Sequence, residues 1–169
     1  MAELIVRPIR NVLKSASLSD FSYIDDVVTY PDIDGTADYN RFNKNDDNEV
    51  EKYACTTIDH AIVSQIDIYL LARALNTTQP LTGNYNIGGS SGVAKSWTVA
   101  LTNWVWYTDS WTGLSLIMNR ICEIWPGAGN MGSSGSDYLD VAVAYLNLTY
   151  TIGTYHGIQG GNIRGGNIR

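Results

Sequence analysis

Cysteine and histidine are scarce in this sequence. The 169 residues include two cysteines and two histidines, with no C-x-x-C pair and no Cys/His cluster. A disulfide-dense small protein and a structural zinc site both need more of these residues, so neither is expected. Cys55 falls in a predicted strand and Cys122 near the end of a predicted helix. We interpret both as buried free thiols, with a disulfide as the alternative.

Charged residues are also few, and basic residues are in the minority. Lys+Arg number 11 against 17 Asp+Glu, which gives a net charge of −6. This balance argues against a nucleic-acid-binding face. No apolar run reaches the ~20 residues of a membrane-spanning helix. The first residues, Met1–Pro8, lack the basic start and apolar stretch of a signal peptide, which favours assembly in a reducing cytoplasm.

Groups of residues that catalyse reactions are missing as well. His60 and His156 have no evident partner, and the serine pairs at 90–91 and 133–134 do not form a G-x-S-x-G elbow. The glycine-rich segments lack the lysine of a phosphate-binding loop. The sequence therefore predicts a protein that is not an enzyme and uses no cofactor.

Two acidic turns, Asp32–Gly35 and Asp46–Glu49, offer oxygen ligands for a calcium ion. The ligand spacing of an EF-hand is absent. Solvated acidic turns are the alternative that we favour, and the metal content stays open at this point.

The abundant residues favour β-structure. The chain has 11 Tyr, 5 Trp and 16 Gly, and aromatic residues are enriched in strands while glycine is enriched in turns. Residues 61–74 alternate with period 2, as in a strand with one buried face. Residues 138–152 are apolar on both faces, which is typical of a covered central strand or of one that meets another subunit. Further strands are predicted at 4–13, broken or at an edge at Pro8, and at 38–42, 50–57 and 96–107.

One short helix is predicted from Trp111 to Ile121, because apolar residues recur there at helical spacing behind a possible N-cap. Residues 75–95 and 126–137 are rich in turn formers and predict a long link and a flexible loop. The fold class that follows is all-β: a jelly-roll-type β-sandwich of about eight strands with one short helix, formed by residues 1–152.

The C-terminal residues 153–169 predict a flexible Gly-rich basic tail. The tail ends in two copies of Gly-Gly-Asn-Ile-Arg, which close on Arg164 and Arg169. A segment of this composition does not fold alone, but it can lie along an acidic surface of a neighbouring copy. We therefore treat Arg164 and Arg169 as candidate interaction residues.

All five tryptophans fall between positions 97 and 125. Aromatic ring faces pack on sugar rings, so Trp104, Trp106 and Tyr85 are candidate stacking residues for a glycan. Core packing and subunit contact form the alternative that we favour for the tryptophans.

An extended pattern is more specific than these separate features. It comprises Phe21–Asp26 followed by an acidic turn, the strands Val50–Thr57 and Ile62–Ala74, Trp111–Leu114 with a short amphipathic helix, and the long strand Tyr138–Thr151. The pattern resembles small jelly-roll virion proteins of tailed bacteriophages, which occur as capsid decoration or tail-associated components. Their sandwich is similar to carbohydrate-binding modules. The resemblance covers roughly residues 20–152, and no ligand residue is transferred through it.

The resemblance implies a non-enzymatic virion structural protein, a capsid decoration (cement) or tail-associated component assembled in the host cytoplasm. It would act through contacts with copies of itself, as a homo-oligomer, and with other virion proteins. No nucleic-acid partner and no membrane span are expected. The alternative is a carbohydrate-binding or host-receptor-binding module that contacts a surface glycan.

Overall fold

The computed structural model describes residues 1–13, 39–43, 48–131 and 137–153, apart from the side chains of Asn11 and Leu13. Twelve strands occur in these ranges: β1 Ala2–Val6, β2 Pro8–Leu13, β3 Asn40–Asn43, β4 Lys52–Cys55, β5 Ala61–Leu75, β6 Gln79–Ile87, β7 Ser90–Ser91, β8 Lys95–Val99, β9 Val105–Trp111, β10 Leu116–Ile117, β11 Cys122–Ala128 and β12 Tyr138–Ile152.

The strands form two sheets of six. The front sheet has the order β1-β12-β5-β9, with β3 beside β12 and β10 beside β5. The back sheet has the order β2-β4-β11-β6-β8, with β7 beside β6. Eight principal strands pair in a nested way: β1 with β12, β4 with β11, β5 with β9, and β6 with β8. Among these eight strands, the first pairs with the eighth, the second with the seventh, the third with the sixth and the fourth with the fifth. This is the strand pairing of a jelly-roll β-sandwich. The all-β, jelly-roll prediction is confirmed.

The hydrophobic core lies between the two sheets. Alternate residues of β5, including Ile66, Ile68 and Leu70, point inward and are fully buried. Leu81 and Ile124 face them from the back sheet. Burial of a large aliphatic side chain stabilises a fold by about 1.5–3 kcal/mol, so this layer holds the sandwich together. It also fixes which side chains of β5 and β12 point outward.

The predicted helix from Trp111 to Ile121 is wrong, because the described residues contain no helix. β9 runs through Trp111, the chain bends at Gly113 with a φ of +68°, and Leu116–Ile117 then pairs with β5. Two short extended pieces separated by a bend placed apolar residues three and four apart, and this imitates the spacing of a helix.

Three predicted boundaries also need correction. The link predicted at 75–95 contains the regular strand β6. Its inward positions include Gln79 and Gly83, which are not apolar side chains, so the sequence of this strand does not show a clear alternation of apolar and polar residues. The loop at 126–137 begins later than predicted, because β11 continues to Ala128. The strand at 96–107 is two strands, β8 and β9, separated by a turn in which Thr102 has a φ of 63°.

The strand predicted at 4–13 is broken at Pro8, as expected. β1 joins the front sheet and β2 pairs with β4 at the edge of the back sheet. The acidic turn at 32–35 and residues 44–47 lie outside the described residues, as does the tail after Gly153. The division into a 1–152 domain and a 153–169 tail therefore stays a prediction.

The hairpin turn Gly88-Gly89 between β6 and β7 allows a matched test of the fold. Both glycines have positive φ, at 60° and 90°. A Cβ at Gly88 would lie 2.0 Å from the carbonyl oxygen of Ile117, whereas a Cβ at Gly89 would meet nothing within 4 Å. We expect Gly89→Ala to cost about 1–2 kcal/mol of stability, from the left-handed backbone alone. Gly88→Ala should cost about 1–3 kcal/mol more, from the added overlap. Urea unfolding of both variants measures the difference, and equal losses would contradict this packing.

Candidate functional site

The outward surface of the front sheet carries a band of aromatic and polar side chains, which we call the front face. Residues paired across neighbouring strands point to the same side of a sheet. Register therefore gives three successive rows across β12, β5 and β9. They are Asn147–Asp67–Ser110, then Tyr145–Tyr69–Thr108, then Val143–Leu71–Trp106.

The middle row is an aromatic ridge. The rings of Tyr69 and Tyr145 are stacked, with centroids 4.6 Å apart and planes 7° apart. Trp106 meets Tyr145 edge-on at 6.0 Å. Tyr145 is 8% exposed, and this burial, followed by the neighbouring Tyr69, raises its pKa. Tyr69 is only half-buried. On the β9 side of Tyr69 the row continues with Thr108, an exposed residue.

The row beside the ridge is polar and internally hydrogen-bonded. Gln65 donates through Nε2 to Asp67 Oδ1 at 2.8 Å, and the Ser110 hydroxyl donates to the same oxygen at 2.7 Å. Both of these hydrogen bonds go to one oxygen of the Asp67 carboxylate and hold the side chain in place. The Asn147 side chain lies opposite Asp67 and brings both a donor and an acceptor.

At the other end of the front face, two half-buried arginines bind one buried carboxylate. Asp140 is fully buried and is bound by Arg41 through Nε at 2.7 Å and Nη2 at 3.0 Å, and by Arg73 through Nε at 3.1 Å. The hydrogen bond to Asp140 raises the pKa of Arg41. The Arg73 guanidinium also lies 4.5 Å from the Trp104 ring centroid and 5.4 Å from that of Tyr39. The cluster thus holds the aromatic side chains at this end in place.

The structure separates the residues singled out from the sequence. Trp104 and Trp106 both pack on the outward apolar cluster of the front sheet, around Leu71 and Val143. Tyr85 is 3% exposed in the main core, edge-on to Trp111 at 4.9 Å, so it presents no ring to solvent. Burial raises its pKa. Arg164 and Arg169 lie outside the described residues. An interaction role for any of these residues stays a prediction.

Sequence reasoning missed the residues at the centre of the front face. Asp67, Tyr69 and Tyr145 lie on the two clearest predicted strands, on the side that faces away from the core between the sheets. The signal was an aromatic residue next to an acid on the outward face of a long strand. The register between β5 and β12 was needed to bring them together, and alternation alone does not give it.

Two other surface features contain fewer aromatic side chains than the front face. A pocket of about 260 Å³ lies at one end of the sandwich, lined by Asp59, His60, Asn119 and Arg120. On the outer surface of the back sheet, Trp125 donates to Glu123 at 2.9 Å and lies 4.2 Å below the Lys52 ammonium. This single tryptophan serves as a useful control, because no second ring stands beside it in the ring pairs of the described residues.

Neither a metal centre nor a spanning helix is seen in the described ranges. No three His, Cys, Asp or Glu side chains gather there in a way that suits a metal ion. A helix of the length and apolarity needed to cross a bilayer is also absent from those ranges.

No family model and no curated protein matches the chain. A structure described as "CBM4 structure and function" aligns with a TM-score of 0.48 and 10% identity, over 66% of this chain and 71% of that one. TmCBM61 in complex with β-1,4-galactotriose aligns at 0.40 and 9%, over 64% and 68%.

A third structure is the CBM36-1 domain of a multidomain xylanase from the hindgut metagenome of Trinervitermes trinervoides. It aligns with a TM-score of 0.42 and 10% identity, over 88% of this chain and 97% of that chain. The chain is a β-sandwich that resembles carbohydrate-binding modules in architecture, and no binding residue is transferred from them.

Proposed function

We propose that this chain is a non-catalytic module that binds an uncharged, hydroxyl-rich glycan on its front face. The observation that carries the proposal is the position of the half-buried Tyr69 ring directly beside the polar row Asn147–Asp67–Ser110. A sugar offers both an apolar C–H face and a set of hydroxyl groups. The front face offers a partner for each, one row apart.

In this proposal the ridge provides the apolar contact with the sugar and the polar row provides the hydrogen bonds. The C–H face of a sugar ring packs against the half-buried Tyr69 ring, and this contact excludes water. The hydroxyl groups then donate to Asp67 Oδ2 and exchange hydrogen bonds with Asn147. Because Tyr145 stacks on Tyr69 and Trp106 in turn packs edge-on against Tyr145, the Tyr69 ring is held in place before the ligand arrives. A preformed site loses less entropy on binding.

The charge of the row selects the ligand class. Asp67 is held by two neutral donors, Gln65 and Ser110, and among the residues that the structure describes no cation is hydrogen-bonded to it. A carboxylate in this setting repels uronic acids and sulfated sugars and accepts hydrogen bonds from hydroxyl groups. The proposal is therefore restricted to uncharged sugars.

The carboxylates of this face support binding rather than cleavage. Glycoside hydrolysis uses two carboxyl groups on either side of the sugar bond, one as an acid and one as a base or nucleophile. Asp140 is fully buried and bound by two arginines. Asp67 already accepts two hydrogen bonds. Neither is placed as half of such a pair.

The proposal is tested by glycan-array binding of the whole chain, followed by calorimetry on the best oligosaccharide. We expect an uncharged glycan to bind, and Asp67→Ala to weaken binding by about tenfold, as loss of a charged hydrogen-bond acceptor does. The matched control is Trp125→Ala on the back sheet, which should leave Kd unchanged. A blank array with folded protein, or weakening by Trp125→Ala alone, would overturn the proposal.

Self-assembly within a virion, with the localisation and partners that it implies, remains a prediction from the sequence. The solved structures reported above offer it no support, and the tail arginines on which it partly depends lie outside the described residues.

A further inference from the structure

The two cysteines are brought opposite each other at one end of the back sheet. Cys55 is the last residue of β4 and Cys122 the first of β11. These antiparallel strands pair Ile124 with Tyr53 and Glu123 with Ala54. One further step in the same register places Cys122 across from Cys55. Both side chains enter the core, with 3% and 2% of their surface exposed, so they lie on the same side of the sheet.

This arrangement suits a covalent bond. Directly opposite residues on antiparallel strands have Cα atoms about 4.5–5.5 Å apart, which lies within the range of about 4.4–6.8 Å found in disulfides. The Cys55 thiol donates to the Tyr53 carbonyl oxygen at 3.9 Å, and the neighbouring Cys122 thiol, followed by burial, raises the pKa of Cys55. The expectation that both cysteines are buried is confirmed, and both are free thiols in the structure.

We infer that Cys55 and Cys122 form an intramolecular disulfide by exchange with a low-molecular-weight disulfide, and that this bond ties β4 to β11 without changing their register. The bond is a modification site of the fold. It is independent of glycan binding, because it lies in the back sheet and shares no residue with the front face.

The exchange balances in two steps. The thiolate of one cysteine attacks a sulfur of oxidised glutathione, which forms a mixed disulfide and releases one glutathione thiolate. The thiolate of the second cysteine then attacks the protein sulfur of that mixed disulfide. The Cys55–Cys122 bond forms and the second glutathione leaves. The two protons lost by the protein thiols go to the two glutathione molecules, and glutathione disulfide is the species reduced.

Burial controls the rate of the first step. The attacking species is the thiolate, and the raised pKa of Cys55 keeps its thiol protonated in the closed sandwich. The flanking residues Thr56 and Ile121 are exposed, so the pair lies where the two strands begin to separate. Opening of these strand ends admits the oxidant, and reclosure in the native register brings the two sulfurs together.

The test uses the whole chain, fully reduced and then incubated with oxidised glutathione. The free thiols are counted in denaturant, the intact mass is measured, and a non-reducing peptide map is recorded. We expect loss of both thiols, a mass lower by two hydrogen atoms, a Cys55–Cys122 cross-linked peptide, and a Tm higher by roughly 5–10 °C that dithiothreitol reverses.

The variant Cys122→Ala provides the control and should stop at a glutathione adduct on Cys55, without the rise in Tm. Stable adducts on single cysteines of the unaltered chain, bonds between chains, or thiols that stay unreacted even in mild urea would overturn the inference. A cross-link that forms but lowers Tm would contradict the claim that the bond fits the native register, and this readout does not require the variant to fold.

Discussion

Replacing Arg41 and Arg73 together with methionine should destabilise the folded chain by about 3–5 kcal/mol. The reason is that Asp140, which has no exposed surface, would lose both of its cationic partners. A buried carboxylate without a partner keeps the full cost of leaving water. Methionine retains much of the apolar stem of arginine, so the loss of charge dominates over the loss of packing. Urea unfolding measures the change.

The single variants and one compensating change make this result interpretable. Arg41→Met and Arg73→Met should each cost less than half of the double change, because the remaining arginine still binds Asp140. Adding Asp140→Asn to the double variant should recover most of the loss, since the buried charge is then removed. A double variant as stable as the original chain would show that the buried Asp140 carboxylate does not depend on these two arginines.

The variant Tyr69→Ala should weaken glycan binding by about 10- to 100-fold, as removal of a central aromatic side chain does in well-packed interfaces. The ring supplies the apolar contact of the proposed site, and its removal also leaves Tyr145 without its stacking partner. Calorimetry with the best oligosaccharide gives Kd, and circular dichroism checks that the sandwich is intact.

Tyr69→Phe is the matched control for this effect. It keeps the ring and the stack on Tyr145 and removes only the hydroxyl group, so Kd should stay within about threefold of the original value. Equal weakening by both substitutions would assign the binding to the hydroxyl group, and an unchanged Kd for Tyr69→Ala would remove the ridge from the site.

The architecture was predictable because the order of apolar and polar residues in a long strand indicates which of its faces is buried. β5 and β12 each extend over fifteen residues, and their bounds were predicted within one residue. The short elements failed for a physical reason. β10 has two residues, too few for any periodicity, and its conformation comes from pairing with Ile62 and Val63 of β5. Tertiary pairing, not local preference, makes it a strand.

The candidate site was harder to predict, because it depends on register. The alternation over 61–74 is enough to put Asp67 and Tyr69 on one face of a strand, yet their partners come from β12 and β9, far away in the chain. A shift of one residue in either pairing would move Tyr145 or Ser110 to the inner side of the sheet. Burial also depends on the fold, since Tyr85, a tyrosine in a polar segment, is a core residue of β6.

The claim that the front face binds sugar is tested most directly by amide chemical-shift perturbation on titration with an uncharged oligosaccharide selected from the array. The account predicts shifts concentrated at Asp67, Tyr69 and Ser110 of neighbouring strands, together with Asn147, while the amide of Trp125 stays in place. Saturable shifts centred on the back sheet, or on the pocket around His60 and Arg120, would contradict it.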